Sequence, residues 1–240
     1  MLHAIEKGKA SFNFNNDEIN WRQLFKTSED SLTSSVFERM FYLPVELFWK
    51  ILKVSSYGQE LPDYCGSIQS KEFWPKWDAS NTDNSSFVEP DLFIRFEKFD
   101  LIIEAKRYDN NQQDPKQWNN QIIAYNTEYS KDAKQLFYLA LGGIRSQKTE
   151  SVEGIKVVKC RWKNLLDHTK AILNQQADKD KKSDINDSVK CILEDLITVF
   201  HIHGFATGEW FKELPYEGLK LEAKDLKEIA KQLAFQVSDL

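Results

Sequence analysis

The chain has 240 residues, 41% hydrophobic and 29% charged, the balance of a folded globular protein rather than a disordered or fibrous one. A formal net charge of −5 excludes a global field that draws the chain onto nucleic acid, so any hold on a polyanion must come from local basic patches such as Lys106-Arg107, Arg145–Lys148 and Lys156–Lys163. Cys65, Cys160 and Cys191 lack metal-ligand spacing and read as free thiols of a cytoplasmic protein; no apolar run has signal-peptide or membrane-span length, and no phosphate-binding or dinucleotide-binding glycine pattern occurs.

Residues 1–27 read as a lead-in whose Phe12, Phe14, Trp21 and Phe25 pack onto a core. Thr27 or Ser28 caps a helix running to Met40, with Leu32, Val36, Phe37 and Met40 on its apolar face. A second helix covers Val45 to Val54, with Trp49 and Leu52 inward. Residues 56–86, rich in Ser, Asn, Asp, Gly and Pro around Phe73-Trp74-Pro75-Lys76-Trp77, predict a long loop or an irregular first strand entering the site. Pro90-Asp91 opens an apolar hairpin, Leu92–Phe96 and then Leu101–Lys106. After a polar turn at Asn110–Asp114, Pro115 to Tyr125 reads as a helix capped by Asp114 with proline at its first position. Gln135–Leu141 is a continuous apolar run ending in Gly142-Gly143, the pattern of a buried central strand. Ile155–Cys160 is a further strand and Trp162–Leu173 a helix. Asn174–Ser188 reads as an exposed linker, followed by an amphipathic helix Val189–Phe200, an aromatic connector from Gly204-Phe205 to Trp210-Phe211, and a last helix Ala223–Phe235. His201 and His203 diverge at a helix end, as core groups or helix-terminal cations rather than a zinc site.

The hairpin carries the chemistry. Strand side chains alternate between faces, so Asp91, Phe93 and Arg95 share one face, and Ile102, Glu104 and Lys106 share one face of the return strand. With a tight turn at Lys98-Phe99, Asp91 falls opposite Lys106 and Phe93 opposite Glu104. The apolar positions then gather on one side and Asp91, Glu104 and Lys106 on the other. Two carboxylates at that separation repel, and a divalent cation with oxygen ligands, Mg²⁺ or Mn²⁺, relieves the repulsion. A lysine beside them orients a water or stabilises charge on a phosphate, which points to metal-assisted phosphodiester hydrolysis. An ordinary cross-strand ion pair between Asp91 and Lys106 on a solvated face is the plain alternative.

Pro90-Asp91 followed by Glu104-Ala105-Lys106 resembles the signature of the PD-(D/E)xK nuclease superfamily, the restriction-endonuclease-like fold, over roughly residues 28 to 165. The resemblance implies an α/β fold, a mixed central sheet flanked by helices, with Asp91 and Glu104 holding metal and Lys106 assisting the attacking water. Gln121-x-x-x-Tyr125 is similar to the Gln-x-x-x-Tyr helix of the RecB-type branch, which implies that both side chains lie beside the metal and contact substrate; Gln113 and Gln117 are alternative site-facing amides. Glu29 resembles the acid of the preceding helix and completes the metal shell, with Glu38 and Glu46 as competitors. The expectation is a nuclease domain over residues 1–175 and a helical region over 185–240 that packs on the core or on a partner. The expected activity is Mg²⁺-dependent DNA hydrolysis by an endonuclease of a bacterial anti-phage defence or restriction system, delivered by a larger helicase or sensor, with no membrane partner and with monomer and homodimer both open. RNA as substrate, and a catalytically inactive module of the same fold binding nucleic acid or a partner, are the alternatives.

Overall fold

A computed structural model of the chain describes residues 13–14, 17–18, 21–175 and 186–206. Its centre is a six-stranded mixed sheet built from β3 (Ile68–Phe73), β6 (Leu92–Phe96), β7 (Phe99–Ala105), β8 (Gln135–Leu141), β9 (Glu150–Val152) and β10 (Ile155–Cys160), in the order β3-β6-β7-β8-β10-β9. β7, β8 and β10 are parallel; β3, β6 and β9 run antiparallel to their neighbours. Two further two-stranded pairs are β1 (Asn13–Phe14) with β2 (Asp17–Glu18), and β4 (Trp77–Asp78) with β5 (Phe87–Val88).

Alternation along the strands supplies two apolar faces, and each is covered. Leu92, Ile94, Leu101, Ile103, Leu139 and Val158 face α2 (Glu29–Met40), α3 (Val45–Ser55), α5 (Trp162–Gln175) and α6 (Asp187–Ile202) in the larger core. Phe93, Ile102, Tyr138, Ala140 and Val157 face α4 (Pro115–Tyr129) and the β4–β5 pair in the smaller one. The short helix α1 (Trp21–Thr27) lies alongside α6 and brings Phe25 against His203, ring centroids 5.6 Å apart.

Local chemistry sets the helix starts. Ser28 caps α2 by accepting from Ser31 N–H at 3.2 Å, with Glu29 and Asp30 in the first turn. Asp114 caps α4 by accepting from Lys116 N–H at 2.9 Å ahead of Pro115, and Asn186 caps α6 by accepting from Val189 N–H at 2.9 Å.

Of the two readings of residues 56–86, the irregular first strand is present: β3 is an edge strand whose register on β6 shifts between Ile68 and Ser70. Two features differ from the sequence expectations. The hairpin pairs Arg95 with Asp100 and Leu92 with Ile103, and only Glu97-Lys98 lies between the two strands, so the turn sits one position before the expected Lys98-Phe99 and the register stands two residues from the expectation. β9 was not anticipated; Glu153 (φ 49°) and Gly154 (φ 76°) form the left-handed two-residue turn that folds it back on β10. α6, the first helix of the expected 185–240 region, packs on α2 and α5 within the compact unit that holds the sheet. The second unit, 208–240, with the expected helix at 223–235 and Trp210-Phe211, lies outside the described residues, as do Phe12 and most of the linker after Gln175. Among the described residues, no helix is long and apolar enough to cross a membrane.

Candidate active site

The two-residue difference in register has a chemical consequence. An even shift keeps every side chain on its face, and continuing the observed pairing sets Asp91 opposite Glu104 rather than opposite Lys106. Opposed residues place their Cβ atoms roughly 5 Å apart, so the two carboxylates are direct neighbours. Asp91 Oδ2 accepts from Ala105 N–H at 2.7 Å, which ties the end of β6 to the return strand. On the far side of Glu104 the ladder partner is the buried Ala140.

Glu104 is 1% exposed and its two oxygens are both engaged. Lys106 Nζ donates to Oε1 at 2.5 Å, and Gln121 Nε2 donates to Oε2 at 2.7 Å. Tyr138 Oη in turn donates to Gln121 Oε1, which fixes the amide's orientation. Burial raises Glu104 above the usual carboxylate range, against the pull of Lys106 and Gln121. Burial and then the Glu104 charge push Asp91 up to about 8, only partly opposed by Ala105 N–H and Lys106. Burial works to lower the Lys106 ammonium, but Glu104, Asp91 and Glu29 outweigh it, so this group keeps its proton more firmly than a free lysine.

Glu29, at the start of α2, reaches the same cluster. Its Oε2 accepts from Arg107 N–H at 2.6 Å and its Oε1 lies 3.7 Å from Lys106 Nζ. The two competing helix acids lie elsewhere: Glu38 beside Arg39, Tyr42 and Asp195, and Glu46 in a separate pocket with Trp49, Lys53 and Tyr64. Tyr125 is not brought to this cluster. Its hydroxyl donates to buried Asp100 Oδ2 at 3.0 Å, and Asp100 also meets the half-buried Arg95 and Lys134, with exposed Asp132 on Arg95. Asp100 lies four residues before Glu104, roughly 13 Å along the strand. One helical turn along α4 from Gln121, Tyr125 is carried toward the opposite end of β7. Gln113 is structural: its amide donates to the carbonyls of Glu104 and Gly142 and accepts from Trp118 Nε1.

Lys106 owes its position to residues that carry no charge. Its N–H donates to Leu141 O at 2.7 Å, and its carbonyl accepts from Trp162 Nε1 at 2.9 Å. Gly142 and Gly143 have φ of 67° and 64°, and the chain passes so close that a Cβ on Gly142 would sit 2.0 Å from Lys106 O. Tyr138, Trp162 and this glycine pair were missed as site residues. The Gly142-Gly143 doublet at a strand end was the available signal, because such a pair marks close backbone approach. Nothing in the sequence alone sets the β7–β8 register that delivers Tyr138.

Asp91, Glu104 and Glu29 against Lys106 leave an excess of two negative charges when all are ionised. That excess, the oxygen-only donors and the upward-shifted carboxylates fit a hard divalent cation seated between Asp91 and Glu104, with water completing its shell. Among the described residues no group of three or more His, Cys, Asp or Glu converges with metal-ligand geometry, and Glu29 is turned to Arg107 N–H and Lys106. Asp91 and Glu104 are the two carboxylates of the cluster that stand directly opposed on paired strands.

No protein-family model and no solved structure matches the chain. The chain is 38% identical over 131 residues to an uncharacterised protein of Pasteurella multocida (strain Pm70), an alignment covering 54% of this chain and 48% of that protein. The chain thus spans about half the length of this relative.

Proposed function

We propose that this chain is a metal-dependent nuclease of the PD-(D/E)xK superfamily, with a restriction-endonuclease-like core, that hydrolyses DNA phosphodiester bonds. The observation that carries the reading is the opposed Asp91–Glu104 pair at the end of two paired strands, Asp91 partly buried and Glu104 fully so, with the Lys106 ammonium on Glu104. Buried like charges without a partner are costly, and side chains retained under that cost mark functional sites. Asp91 and Glu104 hold Mg²⁺, or Mn²⁺ in its place, and that cation supplies Lewis acidity and positive charge at the phosphate. Lys106 stays protonated at neutral pH, so its role is to donate hydrogen bonds to the attacking water and the phosphate oxygens, not to remove a proton. Gln121, clamped by Tyr138, fixes the carboxylate of Glu104. Glu29 restrains Lys106 and the backbone of Arg107.

The weak global charge favours an endonuclease brought to DNA by a larger partner such as a helicase or sensor, in a bacterial defence or restriction system. A second reading is a non-cleaving module of the same fold that binds nucleic acid or a partner protein. The lack of a three-acid cluster among the described residues favours it.

Incubation with linear, circular and single-stranded DNA and with RNA, in Mg²⁺, Mn²⁺ or EDTA, separates the two. Cleavage that needs the cation and disappears in Asp91→Ala and Lys106→Ala supports the nuclease. Cleavage that persists in both variants rules out this site, and binding without cleavage of any substrate supports the second reading.

A further inference from the structure

Beside Gln121 a cleft of about 350 Å³ opens between α4 and the segment leading to Asp91, lined by Asn84, Glu89, Lys116, Gln117, Asn120 and Gln121 among others. The amides in it are not equivalent. Gln121 is spent on Glu104 and Tyr138. Asn120 is 8% exposed and holds the far wall, donating to Asn84 Oδ1 at 3.2 Å and accepting from Asp83 N–H at 3.3 Å. The side chain of Gln117, one helical turn before Gln121, makes no hydrogen bond to a described residue, so its carboxamide presents an uncommitted donor and acceptor to the cleft.

We propose, resting on the nuclease reading above, that this cleft seats one unpaired nucleobase next to the scissile phosphate and that Gln117 is a specificity-determining residue. The two carboxylates Glu89 and Asp114 outnumber the single ammonium of Lys116 in the lining, which disfavours a phosphate there. A cleft of about 350 Å³ is of the size of one nucleoside and cannot take a duplex, whose bases stay stacked between their neighbours, so the base must be single-stranded or turned out of the duplex. A carboxamide pairs two hydrogen bonds with adjacent donor and acceptor atoms on a base edge, and adenine's exocyclic amine and ring N7 are the best-matched pair.

The test uses the full chain without divalent cation. The Gln117 side-chain amide resonance, assigned by its absence in Gln117→Leu, is followed by NMR during titration with the four deoxynucleoside 5′-monophosphates and, separately, inorganic phosphate. The expected result is a spread of fivefold or more in affinity among the four, deoxyadenosine monophosphate tightest, with at least a fivefold loss for the tightest in Gln117→Leu. A smaller spread, an unchanged affinity in Gln117→Leu, or an equal response to inorganic phosphate overturns the assignment. Binding here requires no hydrolysis, so the Asp91→Ala cleavage assay judges the nuclease reading separately.

Discussion

At the scale of single residues, the site is held under electrostatic strain, and that strain is measurable. Burial and the Glu104 charge push Asp91 up to about 8 in the folded chain, against roughly 3.9 in an unfolded one. The stabilisation from that protonation is complete below about pH 4 and is lost as the pH rises toward 8. In EDTA, scanning calorimetry should therefore show a melting temperature that falls across this window. Asp91→Asn should flatten the fall and melt several °C above the wild type at pH 8.5, while abolishing cleavage. A cation entering the pair must expel this proton, so Mg²⁺ affinity should rise by up to about tenfold per pH unit from pH 6 to 8 and level off above it, as read by calorimetric titration. The two tyrosines make a second contrast. Tyr138→Phe deprives the Gln121 carbonyl of its donor and should lower kcat by roughly tenfold, consistent with a lost hydrogen bond of about 1–2 kcal/mol. Tyr125→Phe removes a donor from buried Asp100 and should lower stability by a similar energy with kcat unchanged, by denaturant melts and cleavage rates run in parallel.

At the scale of elements, alternation along the hairpin was readable because strand periodicity is local: it put Asp91, Glu104 and Lys106 on one face from the residue types alone. Their pairing was not readable. The position of the turn sets the register, and neither Glu97-Lys98 nor its neighbours include a glycine or asparagine to fix it. The shift was even, so the face survived while the opposing partner of Asp91 changed from Lys106 to Glu104. The capped helices α2 and α4 were legible through Ser28, Asp114 and Pro115, whose side-chain chemistry acts within a turn. β3 was legible only as a choice between a loop and an irregular strand, since an edge strand buries only part of its surface. Tyr125 illustrates the limit of helical spacing: four residues from Gln121 puts it on the same stripe but beyond the reach of Glu104, because α4 runs alongside the sheet and carries each turn to a different point on β7. The strand-end glycines offer a direct check. Gly142→Ala places a methyl group in contact with Lys106 O and in a left-handed backbone conformation. It should lower stability by roughly 1–3 kcal/mol and reduce cleavage beyond that loss, because the Lys106 backbone has to move.

At the scale of the whole molecule, helices cover both faces of the sheet and leave the Asp91–Glu104 pair at the ends of paired strands beside an open cleft. A net charge of −5 gives the molecule little long-range attraction for DNA, so tight engagement depends on the site, the cleft or a partner. Everything chemical rests on the pair serving as a cation seat, and titration with Mn²⁺ followed by electron paramagnetic resonance reads that seat without requiring substrate. The prediction is one Mn²⁺ bound per wild-type chain at pH 8, competed by Mg²⁺, and none at that site in Asp91→Asn. A wild-type chain that binds no Mn²⁺, or an Asp91→Asn chain that binds it equally well, would contradict it.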